Sequence, residues 1–430
     1  MCIDFELQPN ADPLPSLCLG TLASSHSTLP MKTLLDRTTA VAEMPGLYGP
    51  FTFSEKLLQR IWNRGEFDLT AARTADGQVV EVVEPGRWNR LGGPDFAGAR
   101  LRLGGVSVTG DVELHLYAAD WSAHGHAADP AYDGVVLHVV LFPSAEKFTA
   151  GAGDRTIPVL ALLPLLHRGL EEYAEDEAME ALASRPLAGV PAALAALDPE
   201  ALTALLAGHA DRRWRQKVHF AQLRIGRLGW ADACHHAALE ILGHRFNRAP
   251  MLAVAGRFPR SEWIGDDAMA VAERAVAAGR WHRHAVRPAN HPAVRLRQYA
   301  AWNTARPDWP AQLRAKTAGL PTVRVGEAGV RRREHRLPAL KKLLADEICG
   351  GAVGGTRFDT MVCDGFLPLL AAETGAELGG LWQCWYPGDL PGSLLTSLRV
   401  LGVVGGPGRP ASQGAAQGIM GVRMAECGNK

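Results

Sequence analysis

Between Gly110 and Tyr117 the chain reads Gly-Asp-Val-Glu-Leu-His-Leu-Tyr, an alternation that a helix would scatter around its whole circumference. In a strand, successive side chains point to opposite faces, so Asp111, Glu113, His115 and Tyr117 share one face and Val112, Leu114 and Leu116 the other. One face is expected to close a core and the other to carry chemistry. Such a strand needs partners, and β-rich runs at residues 79–83, 98–103 and 134–142 supply them around the run at 106–117. Ahead of the sheet, Thr52-x-x-Glu55 reads as a capping box, followed by Leu57, Leu58, Ile61 and Trp62 at helical spacing. Beyond about residue 158 helical periods dominate, with Pro and Gly breaks near 186–191, 248–250, 287–292 and 306–310. The expected fold is α+β: a mixed-sheet domain at 44–157 after a loose extension at 1–43, then a basic helical domain at 158–345 and a helical and loop region at 346–430.

With 47% hydrophobic and 21% charged residues among 430, the chain has the composition of a folded protein. Its longest apolar tract, 159–166, is interrupted by Pro164 and is far short of a membrane span. The N-terminus lacks the basic and apolar regions of a signal peptide, and the seven cysteines show no CxxC spacing, so a cytoplasmic protein without membrane association is expected. The zero net charge conceals an asymmetry. Residues 1–200 carry 14 Lys+Arg against 27 Asp+Glu, whereas residues 201–350 carry 26 against 12. Either the two parts neutralise each other or the basic part meets a polyanion.

The chemistry-bearing residues concentrate around the sheet. Pro94-Asp95 followed by Glu113-x-His115 resembles the PD-(D/E)XK signature of restriction-endonuclease-like nucleases, with His in place of the usual Lys, and the order of helix and strands agrees. The resemblance implies a restriction-endonuclease-like mixed sheet in which Asp95 and Glu113 hold Mg²⁺ or Mn²⁺ and His115 carries a proton. A strict two-residue turn at Gly104-Gly105 would place Asp95 opposite Leu114, on the wrong face, so a longer loop or a bulge near Gly98 or Gly110 is required. The crossover at 118–133 shows no helical period, although relatives of that fold place a helix there. Asp95 also has a purely structural reading as a turn residue, and Glu113 with His115 as an exposed sheet face paired to Arg100 or Arg102.

Further polar residues lie close by: His124, His126 and Asp129 in the crossover, and Glu55 on the first helix, where capping is its expected role. His124-x-His126 with His115 or His138 supplies an alternative transition-metal site in a cupin-like sheet acting on a small molecule. His138, in an apolar run, reads as a core histidine. The stretches Gly-Pro-Asp-Phe, Gly-x-Val-Glu-x-His, Asp-Trp-x-x-His-x-His-x-x-Asp-x-x-Tyr and Val-x-Leu-His-Val-Val are similar to the N-terminal block of a bacterial family known as domain of unknown function 2851. Gly243-x-x-Phe-Asn247-Arg-Ala-Pro250 and Arg287-Pro-Ala-Asn290-His-Pro292-Ala-Val-Arg295 resemble its later blocks. The resemblance implies membership of a family without an assigned reaction.

In the basic segment, Arg212, Arg213, Arg215, Lys217 and Arg224 interleave with Trp214 and Trp230, and Arg287 and Arg295 flank a Pro-Asn-Pro turn that feeds a helix starting at Pro292. This pattern suits contact with nucleic acid. The competing reading makes both tryptophans core anchors and pairs the arginines with Glu171, Glu172 and Glu175. The functional expectation is a divalent-metal-dependent nuclease or phosphodiesterase. The alternatives are the cupin-like small-molecule protein and an inactive nucleic-acid or protein adaptor.

Overall fold

The structure is a computed structural model and describes residues 41–46, 49–90, 92–170, 172–174, 176–177, 192–283, 286–324, 332–405 and 410–428. Most of the N-terminal extension, the break at 186–191, Glu171, Glu175 and Arg331 lie outside these residues. A two-stranded ribbon, β1 (Val41–Gly46) and β2 (Gly49–Ser54), leads into α1 (Glu55–Arg64). The cap of α1 is Ser54, whose hydroxyl accepts the Leu57 amide, so the capping box read at Thr52 is replaced: Thr52 lies within β2. Leu57, Leu58, Ile61 and Trp62 are buried in one core with Leu101, Val112 and Leu114 of the sheet.

That sheet contains β3 (Val80–Glu84), β4 (Arg87–Trp88), β5 (Phe96–Leu103), β6 (Val106–His115), β7 (Val135–Val140), β8 (Phe148–Ala150) and β9 (Thr156–Ala161). Its order is β3-β5-β6-β7-β9-β8, with β4 also on β5. Strands β3, β5 and β6 are antiparallel neighbours, whereas β6, β7 and β9 run parallel. A bulge occurs at Gly98: Leu103 pairs with Val106 and Ala99 with Gly110, but Phe96 pairs with Val112, one residue out of step. Gly98 takes φ +67, and its amide donates to Asp111 Oδ1 at 2.9 Å. Strands β8 and β9 were not expected, and β9 occupies the place where helices were to begin. It is buried between β7 and β8, carries Pro158 and merges with an apolar tract, so it displays no alternation to read.

The rest is mostly helical. Helix α2 (Asp120–Ala123) is a single turn in the crossover. Asp198 caps α3 (Pro199–Leu228) by accepting the Glu200 and Ala201 amides. The long helix α4 (Trp230–Arg257) contains Pro250 and is broken at His244 and Asn247. Helix α5 (Pro292–Ala305) begins at Pro292 as the preceding turn implies, and α6 (Gln413–Gly428) packs along α3. These helices close a second core rich in buried tryptophan, including Trp263, Trp302, Trp309, Trp382 and Trp385. Trp214 packs against Trp382, and Trp230 donates to the Pro310 carbonyl, so both anchor this core. The fold is α+β. No helix among the described residues is long and apolar enough to cross a membrane.

Candidate metal centre

The alternation of β6 places Glu113 and His115 on one face, and both are buried. Because of the bulge at Gly98, Asp95 comes level with Glu113, and its backbone amide donates to Glu113 Oε2 at 2.9 Å. The Asp95 carboxylate accepts from the Gln59 amide of α1 at 2.6 Å and from the Leu114 amide at 3.2 Å. Trp88 in turn donates to Gln59 at 3.3 Å. Burial outweighs these hydrogen bonds and raises the Asp95 carboxyl to about 6.

The crossover lacks a long helix, yet its motif residues hold it in place. Asp120 accepts the Tyr117 amide where β6 ends, and buried Trp121 donates to the Ala150 carbonyl of β8. Gly125, at φ +74, turns the chain between the two histidines. Asp129 caps the following turn by accepting the Ala131 amide, and Tyr132 stacks on His126 with ring centres 3.8 Å apart. Trp121, Tyr132, Val135 and Ile157 form a small core beneath this loop.

The result is a convergence of donor atoms. His115 Nε2 lies 3.1 Å from His124 Nδ1 and 3.3 Å from His126 Nε2. Glu113 Oε1 lies 3.6 Å from His115 Nε2 and 3.5 Å from His126 Nε2. Ligand bonds of about 2.1 Å in a tetrahedron set neighbouring donors about 3.4 Å apart; these four separations are close to that value, and the ring nitrogens of His115, His124 and His126 all lie within 4.8 Å of one another. The other nitrogen of His115 faces His138 Nε2 at 2.9 Å, and His138 Nδ1 faces the Thr149 hydroxyl at 2.7 Å. If Thr149 accepts, the chain of bonds leaves His115 Nε2 as a lone pair aimed at the cluster. Burial first, and then the neighbouring histidines, lower His115 to about 2, and burial with His126 lowers His138 to about 3. Both rings are therefore neutral near pH 7, as metal binding requires.

His115, His124 and His126 thus form one cluster, with Glu113 against His115 and His126 and Asp95 beside Glu113. Asp129 is occupied by its cap, and buried Glu55 opens α1. His138, read from the sequence as a core residue, is fully buried and also orients His115.

The basic residues take different courses. Arg212 is exposed, and exposed Arg215 pairs with Asp211 one helical turn away. Arg213 is buried against Gln417, Lys217 pairs with Asp364, and Arg224 pairs with Glu240 and Glu172. Arg287 is exposed, while Arg295 bonds to Asn290 and Gln298.

Part of the charge asymmetry is an internal interface. Arg168, Arg224 and Arg248 surround Asp176, Glu172 and Glu240. Burial alone would raise Glu240, but these three guanidinium groups hold it well below the usual carboxylate range. Arg168, Glu240 and Arg248 were not singled out from the sequence. Arg224 and Glu172 were named from the sequence, and their ion pair is the one the competing reading expected.

Residues 55–268 match the model of the family described as "Protein of unknown function (DUF2851)", so across that segment the chain resembles this family, as its motifs implied. No curated protein and no solved structure matches the chain.

Proposed function

We propose that Glu113, His115, His124 and His126 bind one divalent transition-metal ion, and that the protein is a metal-dependent hydrolase of phosphodiesters with nucleic acid as its substrate class. The observation that carries this reading is the clustering of one ring nitrogen each of His115, His124 and His126 within 4.8 Å of one another, with Glu113 Oε1 3.6 Å from His115 Nε2 and 3.5 Å from His126 Nε2. Three imidazoles favour Mn²⁺, Fe²⁺ or Zn²⁺ over Mg²⁺, which prefers oxygen ligands. Such an ion, when bound, polarises a phosphoryl oxygen and lowers the pKa of a water ligand. The residues of this chain do the rest. His138 and Thr149 keep the His115 ring in place, and the Asp95 amide orients Glu113. The Asp95 carboxylate, anchored by Gln59, is the proton acceptor on this face.

The phosphodiester assignment is supported by element order. A helix, three antiparallel strands and a parallel strand, with Asp95 opening one strand and Glu113-x-His115 closing the next, resemble the restriction-endonuclease-like arrangement. Parallel pairing of β6, β7 and β9 argues against a cupin-like barrel, which is built from antiparallel strands.

The test combines metal content after equilibration with Mn²⁺ or Zn²⁺ and cleavage of single- and double-stranded DNA and RNA. Wild type should take up about one ion per chain, and the His124→Ala/His126→Ala variant should lose at least about 100-fold in affinity. Glu113→Gln should abolish Mn²⁺-dependent cleavage. Stoichiometric uptake without cleavage of any substrate would remove the phosphodiesterase reading, and no uptake would remove the metal centre as well.

A further inference from the structure

A cavity of about 700 Å³ opens among α3, α4, the start of α5 and the segment 356–364, within the size range of small-molecule pockets. Its lining carries eight arginine and lysine side chains against five carboxylates, an excess of three positive charges. Arg168, Arg224 and Arg248 are matched by three of those carboxylates, as described above. The other five cations, Arg213, Lys217, Arg287, Arg295 and Arg357, share the lining with Asp364 and Asp389.

The two terminal nitrogens of Arg295 donate to neutral groups, Gln298 Oε1 at 2.7 Å and Asn290 Oδ1 at 2.6 Å. Arg357 is buried, donates to the Ile241 carbonyl and pairs with Asp389 at 2.7 Å. The Nε atoms of both arginines are buried without a hydrogen-bond partner. Burial and then the charge of Arg357 lower Arg295 to about 10, with Asp389 offsetting only part of the effect. Arg168, Arg224 and Arg248 each meet at least one carboxylate, whereas the bonds of Arg295 go to two neutral side chains on the same cavity wall.

The wall is also built in an unusual conformation. His244 has φ +54 within α4, a left-handed backbone that costs a non-glycine residue on the order of 1–3 kcal/mol. Just after it, Asn247 exchanges two 2.9 Å hydrogen bonds with the backbone of His282, tying down the segment that leads to Arg287.

We infer that this cavity binds a small phosphorylated molecule, its phosphoryl group held by Arg295 and Arg357 and its remaining charge offset by Lys217 and by Arg287 at the rim. A guanidinium fork matches phosphoryl oxygens in pairs, and a phosphomonoester or diphosphate carries the negative charge that the lining lacks, whereas a single carboxylate does not. The site stands apart from the metal centre, and its failure would leave that reading untouched.

The experiment is calorimetric titration of metal-stripped protein with inorganic pyrophosphate and with AMP, using citrate as the carboxylate control. Saturable binding of pyrophosphate or AMP is expected, weakening as salt rises and falling at least about tenfold in Arg295→Gln. The His124→Ala/His126→Ala variant should bind as wild type does, which separates this cavity from the metal centre. Arg287→Ala, at an exposed position, should weaken binding several-fold and keeps the inference testable if Arg295→Gln does not fold. Absence of saturable binding by both phosphoryl probes overturns the inference. So does binding unaffected by both arginine variants, or citrate binding that depends on Arg295 while pyrophosphate does not bind.

Discussion

The histidine centre and the arginine-lined cavity are both clusters of ionisable groups with buried members, but they are assembled in opposite ways. The first draws its donors from Glu113, His115, His124 and His126, within fourteen consecutive residues of one strand and the loop after it. The second unites residues from Arg168 to Gln417. In the first, imidazole nitrogens from one strand and the next loop gather within 4.8 Å of one another. In the second, opposite charges interlock around Glu240, and the lining as a whole carries an excess of positive charge. Short-range assembly gathers like donors, whereas long-range assembly around Glu240 neutralises charge and joins distant segments.

That contrast predicts different consequences when one acid is removed from each cluster. Glu240→Ala leaves three guanidinium groups without their shared partner and should destabilise the fold by about 3–5 kcal/mol. Glu113→Gln, which keeps shape and burial, should lower stability far less while eliminating metal uptake. Urea denaturation of both variants decides the matter. Equal losses of stability would mean that the two clusters are alike in kind.

A smaller effect concerns acid. His235 lies in the helical core, with Nδ1 2.7 Å from the Tyr299 hydroxyl and Nε2 3.1 Å from the Phe258 carbonyl. Burial, reinforced by His236, lowers it to about 3, whereas the unfolded chain titrates near 6.5. Below pH 6.5 the unfolded state therefore takes up a proton that the folded state refuses. The stabilisation is fully present above that pH and is lost as pH falls toward 3. Between pH 6.5 and 5 this group should remove about 1.5 kcal/mol, and His235→Gln should flatten that part of the stability profile. An unchanged slope in the variant would exclude His235 as its source.

The smallest effects belong to the exposed arginines of α3. Arg215→Ala breaks a solvent-exposed pair with Asp211 and should change stability by less than about 1 kcal/mol. If the basic segment meets nucleic acid, Arg212→Ala/Arg215→Ala should reduce retention on single- and double-stranded nucleic acid at low salt without altering pyrophosphate binding. Unchanged retention would remove these two residues from any such surface.

Much of the sheet was legible because its signals are local. The alternation at Asp111–Tyr117 placed Glu113 and His115 on one face, and the same register argument required a longer loop or a bulge, of which the structure has the bulge, at Gly98. The crossover was harder to read: Trp121, Gly125 and Tyr132 hold His124 and His126 by individual contacts rather than by a periodic pattern. Strand β9 escaped because burial removes alternation, and the cap of α1 was displaced from Thr52 to Ser54 because β2 extends as far as Ser54.

By itself, then, the sequence determined which residues could share a face, because the two-residue period of a strand acts between neighbours in the chain. It also determined that an acidic part is followed by a basic one, since net charge is independent of conformation, and left open whether the two meet each other or the basic part meets a polyanion. Only the tertiary structure decided which arginine meets which carboxylate. Arg168 and Glu240 lie more than seventy residues apart, and their ion pair forms only where the packing of the helices brings them within reach. The same holds for Arg295 and Arg357: no local rule of spacing tells a paired arginine from one left facing a cavity.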